Sequence, residues 1–271
     1  KDNQDIIKLL LTKDGIEIGE KCFYECSSLT QISIPSNISN IGSSAFGQCS
    51  SLKQISLSPS VTEIKDSAFS ECYSLTKMTI PSSVTSIESF VFRNCTLLKE
   101  ISIPSSLISI ENHAFFGCLS LVEISIPSSV KFIGKYAFFG CSSLEKVLFE
   151  KNSVLDSIKS DVFFGCSSLI QLEIPSTVQS IEKFAFGDCS SLVHVSIPDT
   201  VKLIEDSAFS ECHSLKKINI PSSLDSIGNC CFKGCSSLTQ IKIPSSVTSI
   251  GNHAFRECSS LLKIQIPDSV N

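Results

Sequence analysis

Fourteen cysteines are the residues in this chain with the most chemistry to offer. Eleven of them, Cys26, Cys49, Cys72, Cys95, Cys118, Cys141, Cys166, Cys189, Cys212, Cys235 and Cys258, fall 23 residues apart, with one step of 25 after Cys141. A thiol can ligate a metal, bridge to another thiol or fill a small space. Zinc needs four ligands around one point, whereas a chain stacked on itself delivers its thiols in a line. Neighbours in such a line would sit about 4.8 Å apart, within disulfide range. Their Cβ vectors would be parallel, however, and each thiol would have two equivalent partners, so bridging would be strained and arbitrary. Filling remains, because free Cys behaves as a small, usually buried hydrophobe. The column is therefore expected to be a buried, reduced ladder. Cys22 and Cys231 stand where other copies carry Ala or Val and are expected to fill space too, while Cys230, one place earlier, is expected to be exposed. Unpaired thiols favour a reducing or anaerobic setting.

The other reactive side chains do not converge. His113 and His253 share a column but lie six repeats apart, on the order of 30 Å at the strand spacing. His194 and His213 fall in different columns. Most serines belong to "CSSL" and "IPSS", where hydroxyls serve turns, and acidic pairs such as Glu205-Asp206 suit a solvated face. No nucleophile elbow, phosphate loop or zinc motif is present. An active site needs groups converging in a concavity, and periodic display spreads them. The expectation is a protein that is not an enzyme, with no catalytic residues, no cofactor and no metal. The net charge of −5 comes without a cluster of Lys and Arg along the chain, which argues against nucleic acid as a partner. No apolar run of about 18 residues marks a membrane span.

The elements that must position these residues follow from the same period. Three residues after each periodic Cys comes Leu, from Leu29 to Leu261, and aliphatics follow at six and eight, as in Ile32 and Ile34 or Ile241 and Ile243. Pro usually comes next (Pro35, Pro81, Pro244), then Val and Ile (Val84 and Ile87), then Phe three residues before the next Cys. In "LTQIKIP" the isoleucines alternate with Gln240 and Lys242, the period of a short strand with one buried face. Pro244 ends it, having no N–H for a ladder. "VTSIG" predicts a second extended segment, and "NHAFREC" a short helical or 3₁₀ turn. One coil cannot bury its own apolar side chains, but stacked coils bury them jointly.

The motif Cys, two residues, Leu, two residues, Ile, one residue, Ile-Pro, two residues, Val, two residues, Ile-Gly, then Ala-Phe before Cys resembles the BspA-like, or Treponema pallidum type, leucine-rich repeat. The resemblance runs from about Cys22 to Val270. It implies an α/β, β-dominated leucine-rich-repeat solenoid: a curved stack of 23-residue coils with parallel short strands and short helical or 3₁₀ turns. It also implies a place on the surface of bacteria or parasitic protists, with adhesion and binding of host or matrix proteins. The expected function is thus a non-enzymatic protein-binding module of a surface or secreted adhesin-like protein. The alternative is an intracellular scaffold or recognition arm joined to another domain such as ankyrin repeats or a kinase. The resemblance favours cell-surface or secreted localisation. A cytoplasmic one stays open, because no signal peptide is seen and the thiols look unpaired.

Residues 1–25 are expected to form a degenerate N-terminal capping coil, with Ile6, Leu9, Leu11 and Ile18 at core positions, or the tail of a preceding ankyrin repeat. Residues 26–271 form the solenoid, which stops within its last coil, as an excerpt of something longer would. The copy from Cys141 carries Phe149 and Glu150 at the usual aliphatic and Pro positions and has two extra residues, so "EKNSV" is expected to bulge. It is either a drifted loop or a loop that helps binding. Two sequons occur, at Asn37 and Asn94.

Two surfaces are candidates for a protein partner of unknown identity. Just after the periodic Phe, three consecutive copies carry a second Phe, Phe116, Phe139 and Phe164, with Tyr136 close by. These rings form either an exposed docking stripe or a layer folded over the turns and packed on itself. The second candidate is the outward face of the main strand, a hydroxyl ladder from Ser33 to Ser125 that becomes mixed from Leu148 on, with Val122, Ile170, Val193 and Leu262 in a flanking column and His194 close by. It either binds protein or is ordinary solvated strand.

Overall fold

Each repeat lays down two short strands because its apolar residues recur at strand period and are then stopped. The structure, a computed structural model, describes residues 17–270. In β2 (Gln31–Ser33) only the central Ile32 is buried, as alternation requires. It pairs in parallel with β4 (Gln54–Ser56), residue for residue one coil on, Ile32 opposite Ile55. From β10 (Glu123–Ile126) this first face becomes one seven-stranded parallel sheet through β12 (Lys146–Phe149), β14 (Gln171–Glu173), β16 (His194–Ser196), β18 (Lys217–Ile218), β20 (Gln240–Lys242) and β22 (Lys263–Gln265). Two-residue strands make a second face, beginning with β1 (Glu17–Ile18) beside β3 (Asn40–Ile41). The parallel solenoid expected from the repeat is thus present.

The third side of the coil differs from the expectation. No helix or 3₁₀ segment occurs among the described residues. The segment before each Cys is a run of tight turns with two left-handed residues per coil, such as Ser44 at φ 53° and Gln48 at φ 58°. A right-handed helix cannot pass through that region. Alternate N–H groups donate to carbonyls three residues back, as Gly47 does to Ser44 at 2.9 Å. The N–H groups between them donate to the next coil: Ser44 to Asp66, Phe46 to Ala68 and Gln48 to Ser70, at 2.8–2.9 Å. Left-handed backbone costs on the order of 1–2 kcal/mol per non-glycine residue. Here it sends half of the turn's N–H groups to the neighbouring coil, where a helix would spend them on itself.

The periodic Phe side chains form one continuous column of stacked rings from Phe23 to Phe255, each 5.1–5.8 Å from the next. Phe46 to Phe232 are fully buried. Beside the rings runs the sulfur ladder, and it does more than fill space. Each thiol from Cys49 to Cys258 donates to the carbonyl of the Phe in the preceding coil, as Cys49 does to Phe23 at 3.0 Å and Cys141 to Phe115 at 3.2 Å. These S–H···O contacts are weak, but they fix which way the sulfur points. A hydroxyl column does likewise: Ser60 donates to Ile38 at 2.7 Å, Thr177 to Leu155 at 2.6 Å and Ser269 to Val247 at 2.7 Å.

Four thiols depart from the sequence expectation. Cys22 and Cys26 are exposed. Cys258 is half-buried. Cys230, expected to be exposed, is also half-buried, at a left-handed position with φ 53° within the turn layer. Brief alkylation near neutral pH should therefore modify Cys22 and Cys26 first and Cys230 and Cys258 next. The buried thiols should react only on denaturation, because burial raises their pKa and the thiolate is the nucleophile. Peptide mass mapping would show this order. Native modification of Cys118 as fast as Cys26 would mean that the ladder is open.

The irregular copy absorbs its two extra residues on one side. The first face continues through it in a single step, Lys146 opposite Gln171. The second face breaks there, between β11 (Phe132–Ile133) and β13 (Ser157–Ile158). Lys151, Asn152 and Val154 stand in solvent, while Ser153 and Leu155 turn inward. Of the first coil, Ile18 is buried. Ile6, Leu9 and Leu11, and the choice between a cap and an ankyrin tail, lie outside the described residues.

Candidate functional site

The outward face of the seven-stranded sheet is built by residues that alternate with its buried aliphatics. Pairing one coil over the next brings columns of equivalent residues together. On most strands that column is polar, as with Ser125 and Ser196. Leu148 is its one aliphatic member, opposite Ser125 in the coil before it. Leu148 is 39% exposed, and in the flanking column Val122, Ile170 and Val193 are 42%, 50% and 37% exposed, with Glu145 between Val122 and Ile170. Leu148 and His194 line a shallow groove with Phe149, Gln171 and Glu173. The ion pairs Lys77–Glu100 (2.9 Å) and Lys146–Glu123 (3.6 Å) lie on the same face. They are solvated, and such pairs contribute little to stability.

The aromatic candidates sit on the turn side, away from the sheet. Phe116, Phe139 and Phe164 stack at 4.9 and 5.0 Å and are half-buried. The row stops at Gly187, where a Cβ would come within 2.8 Å of the Phe164 ring; the glycine leaves room for that ring to lie flat. A second row runs beside it, with His113 held between Phe90 at 4.6 Å and Tyr136 at 4.8 Å. Phe90, His113, Tyr136 and Phe184 all occupy the left-handed position, which aims their rings along the stack. The His113 Nδ1 is buried without a hydrogen-bond partner, and burial, with Arg93 nearby, lowers the pKa of the ring. Both readings of these rings keep support: they pack on one another, and each keeps an edge in water.

No group of three His, Cys, Asp or Glu side chains is placed to hold a metal among the described residues. His194 stands on the sheet face, whereas the His213 Nδ1 lies 2.9 Å from the carbonyl of Gly234. The sequon residue Asn37 is exposed on its turn, and Asn94 is half-buried at φ 57°. One feature of the face escaped the sequence. Lys216, Lys217, Lys242 and Lys263 are scattered along the chain but gather over the last three coils.

The family model described as BspA type leucine-rich repeat region (6 copies) matches residues 16–153 and 156–271. A leucine-rich cell surface protein from Faecalibacterium prausnitzii is similar at 34% identity, over 94% of this chain and 71% of that one, with a TM-score of 0.61. A leucine-rich repeat protein from Bacteroides ovatus is 30% identical over 93% of this chain and 82% of its own, with a TM-score of 0.49. The pneumococcal vaccine antigen PcpA shares the fold at 23% identity, over 89% of this chain and 73% of that one, with a TM-score of 0.57. Among curated proteins none matches.

Proposed function

Because the chain belongs to the BspA-type leucine-rich repeat family, we propose that it is a non-enzymatic protein-binding module of a surface-exposed, adhesin-like protein. It engages host, matrix or neighbouring-cell proteins through the outward face of its long sheet. The similar Faecalibacterium protein is described as a cell surface protein, which supports that placement. The carrying observation is the cluster Val122, Leu148, Ile170 and Val193, whose side chains stay 37–50% exposed on a face whose other outward residues, apart from Leu262 in the last coil, are hydroxyls, amides, imidazole and charges. Exposed apolar groups gathered in one place and rimmed by polar residues mark interaction sites. The turn-side rings satisfy much of their apolar surface on one another, whereas the sheet-face aliphatics do not. A rigid sheet presenting that cluster also loses little conformational freedom on binding.

The test is solid-phase binding to a panel of extracellular-matrix and host-cell surface proteins. Ile170→Glu combined with Val193→Glu is expected to weaken capture at least tenfold while moving the melting temperature by only a few degrees, since both side chains already face water. Full binding by this variant would remove the sheet face from the account. No binding by the unaltered protein to any member of the panel would overturn the adhesin reading.

A further inference from the structure

The sheet face changes sign along its length. Over the coils from Cys95 to Cys166 it carries Glu100, Glu123, Glu145 and Glu173, and two of these pair with lysines. Over the last three coils the outward positions of the same strands are Lys216, Lys217 and Asn219, then Thr239, Gln240 and Lys242, then Leu262, Lys263 and Gln265. No carboxylate stands among them, and none of the four ammonium groups has a carboxylate partner among the described residues. Lys217, Lys242 and Lys263 ring a groove of about 550 Å³, with the amides of Asn219, Gln240 and Gln265 between them. Asp199 reaches its rim but is engaged by the N–H of Ser222 at 3.1 Å and its hydroxyl at 3.3 Å.

We propose that this groove holds an acidic segment of the protein partner, a stretch of Asp and Glu that continues from whatever covers the apolar cluster. The inference rests on the sheet-face reading above and adds the partner's chemistry to it. Lys217 and Lys263 stand two coils apart, about 10 Å, with Lys242 between them and further along the strand. That triangle of charge suits carboxylates spaced along an extended peptide. The neighbouring amides donate to carboxylate oxygens and accept backbone N–H groups, as recognition of an extended chain requires. A net charge of −5 on the whole chain disfavours an acidic polymer in general, while the lysines of the groove orient the encounter.

The experiment is a titration with fluorescein-labelled poly-glutamate at low salt, read by anisotropy, with poly-lysine and heparin as comparison probes. The expected result is saturable binding of poly-glutamate that falls steeply with added salt. It should weaken at least tenfold in Lys217→Glu with Lys242→Glu, and stay within twofold in Lys53→Glu with Lys99→Glu, a reversal on the same face at the other end. Ile170→Ser with Val193→Ser, which removes the apolar side chains without adding charge beside Lys216, should change it little, so failure of the apolar cluster and failure of the lysine groove are read separately. Absence of poly-glutamate binding, equal binding by the lysine-reversed variant, or binding of heparin alone would overturn the proposal; the last would assign the groove to an acidic glycan.

Discussion

Replacing Phe138 with Ala is expected to destabilise the solenoid by about 3–5 kcal/mol. Phe138 is fully buried, with the rings of Phe115 and Phe163 stacked at 5.2 and 5.5 Å above and below it. Its removal opens a cavity in the middle of a column that cannot close. The coil spacing is set on three sides by backbone ladders, so neighbouring rings have no direction in which to collapse. The loss should also divide the cooperative unit, because each coil rests only on its neighbours. Urea unfolding followed by circular dichroism would show a lower midpoint and a broadened or split transition. Phe139→Ala, one residue along, is the comparison. That ring is half-buried in the outer row, and its loss is expected to cost only about 1–2 kcal/mol. Equal losses at the two positions would mean that the outer row is as much core as the inner one.

Raising the pH is expected to unfold the protein at about pH 10–11, through the sulfur ladder. Burial pushes the Cys49, Cys95 and Cys141 thiols up to about 12 and holds those of Cys72, Cys118, Cys166, Cys189, Cys212 and Cys231 well above their ordinary value. In the unfolded chain the same groups ionise near about pH 8.5. Between those values the unfolded state binds fewer protons than the folded one, so stability falls as pH rises. The contribution is fully present below about pH 8.5 and is lost on the way to about pH 12, at up to about 1.4 kcal/mol per pH unit for each thiol. Several thiols titrating together exceed the 5–15 kcal/mol that holds a typical domain. The ultraviolet thiolate absorbance of the ten buried thiols and the circular dichroism should therefore change together. A Cys95→Ala, Cys118→Ala, Cys141→Ala variant should lose stability less steeply with pH. Thiolate absorbance near about pH 9 from more than the four exposed or half-buried thiols, with the dichroism intact, would show that the buried sulfurs are not dry.

Much of this architecture is legible in the residues. The strands and their facing follow from the alternation of Ile32 and Ile34 with Gln31 and Ser33, and the stacking follows from a period held from Cys26 to Cys258. The turn was harder to read. Left-handed positions are normally announced by Gly or Asn, and here they fall on Ser44, Phe90, Tyr136 and Glu211 as well. The inter-coil hydrogen bonds that hold those residues there leave no trace in local composition.

What the sequence by itself determined is everything that repeats: one coil's plan, its parallel stacking, its apolar interior and the column in which each side chain lies. Periodicity suffices for that, because each coil meets only a copy of itself. What only the tertiary structure decided is everything that does not repeat. It showed which aliphatics of the sheet face stay in water, that Phe116, Phe139 and Phe164 lean on one another, and that Lys217, Lys242 and Lys263 form one charged groove. Those properties belong to neighbours a coil or more apart along the chain, and distance in space is set by the stacking of coils, not by separation in sequence.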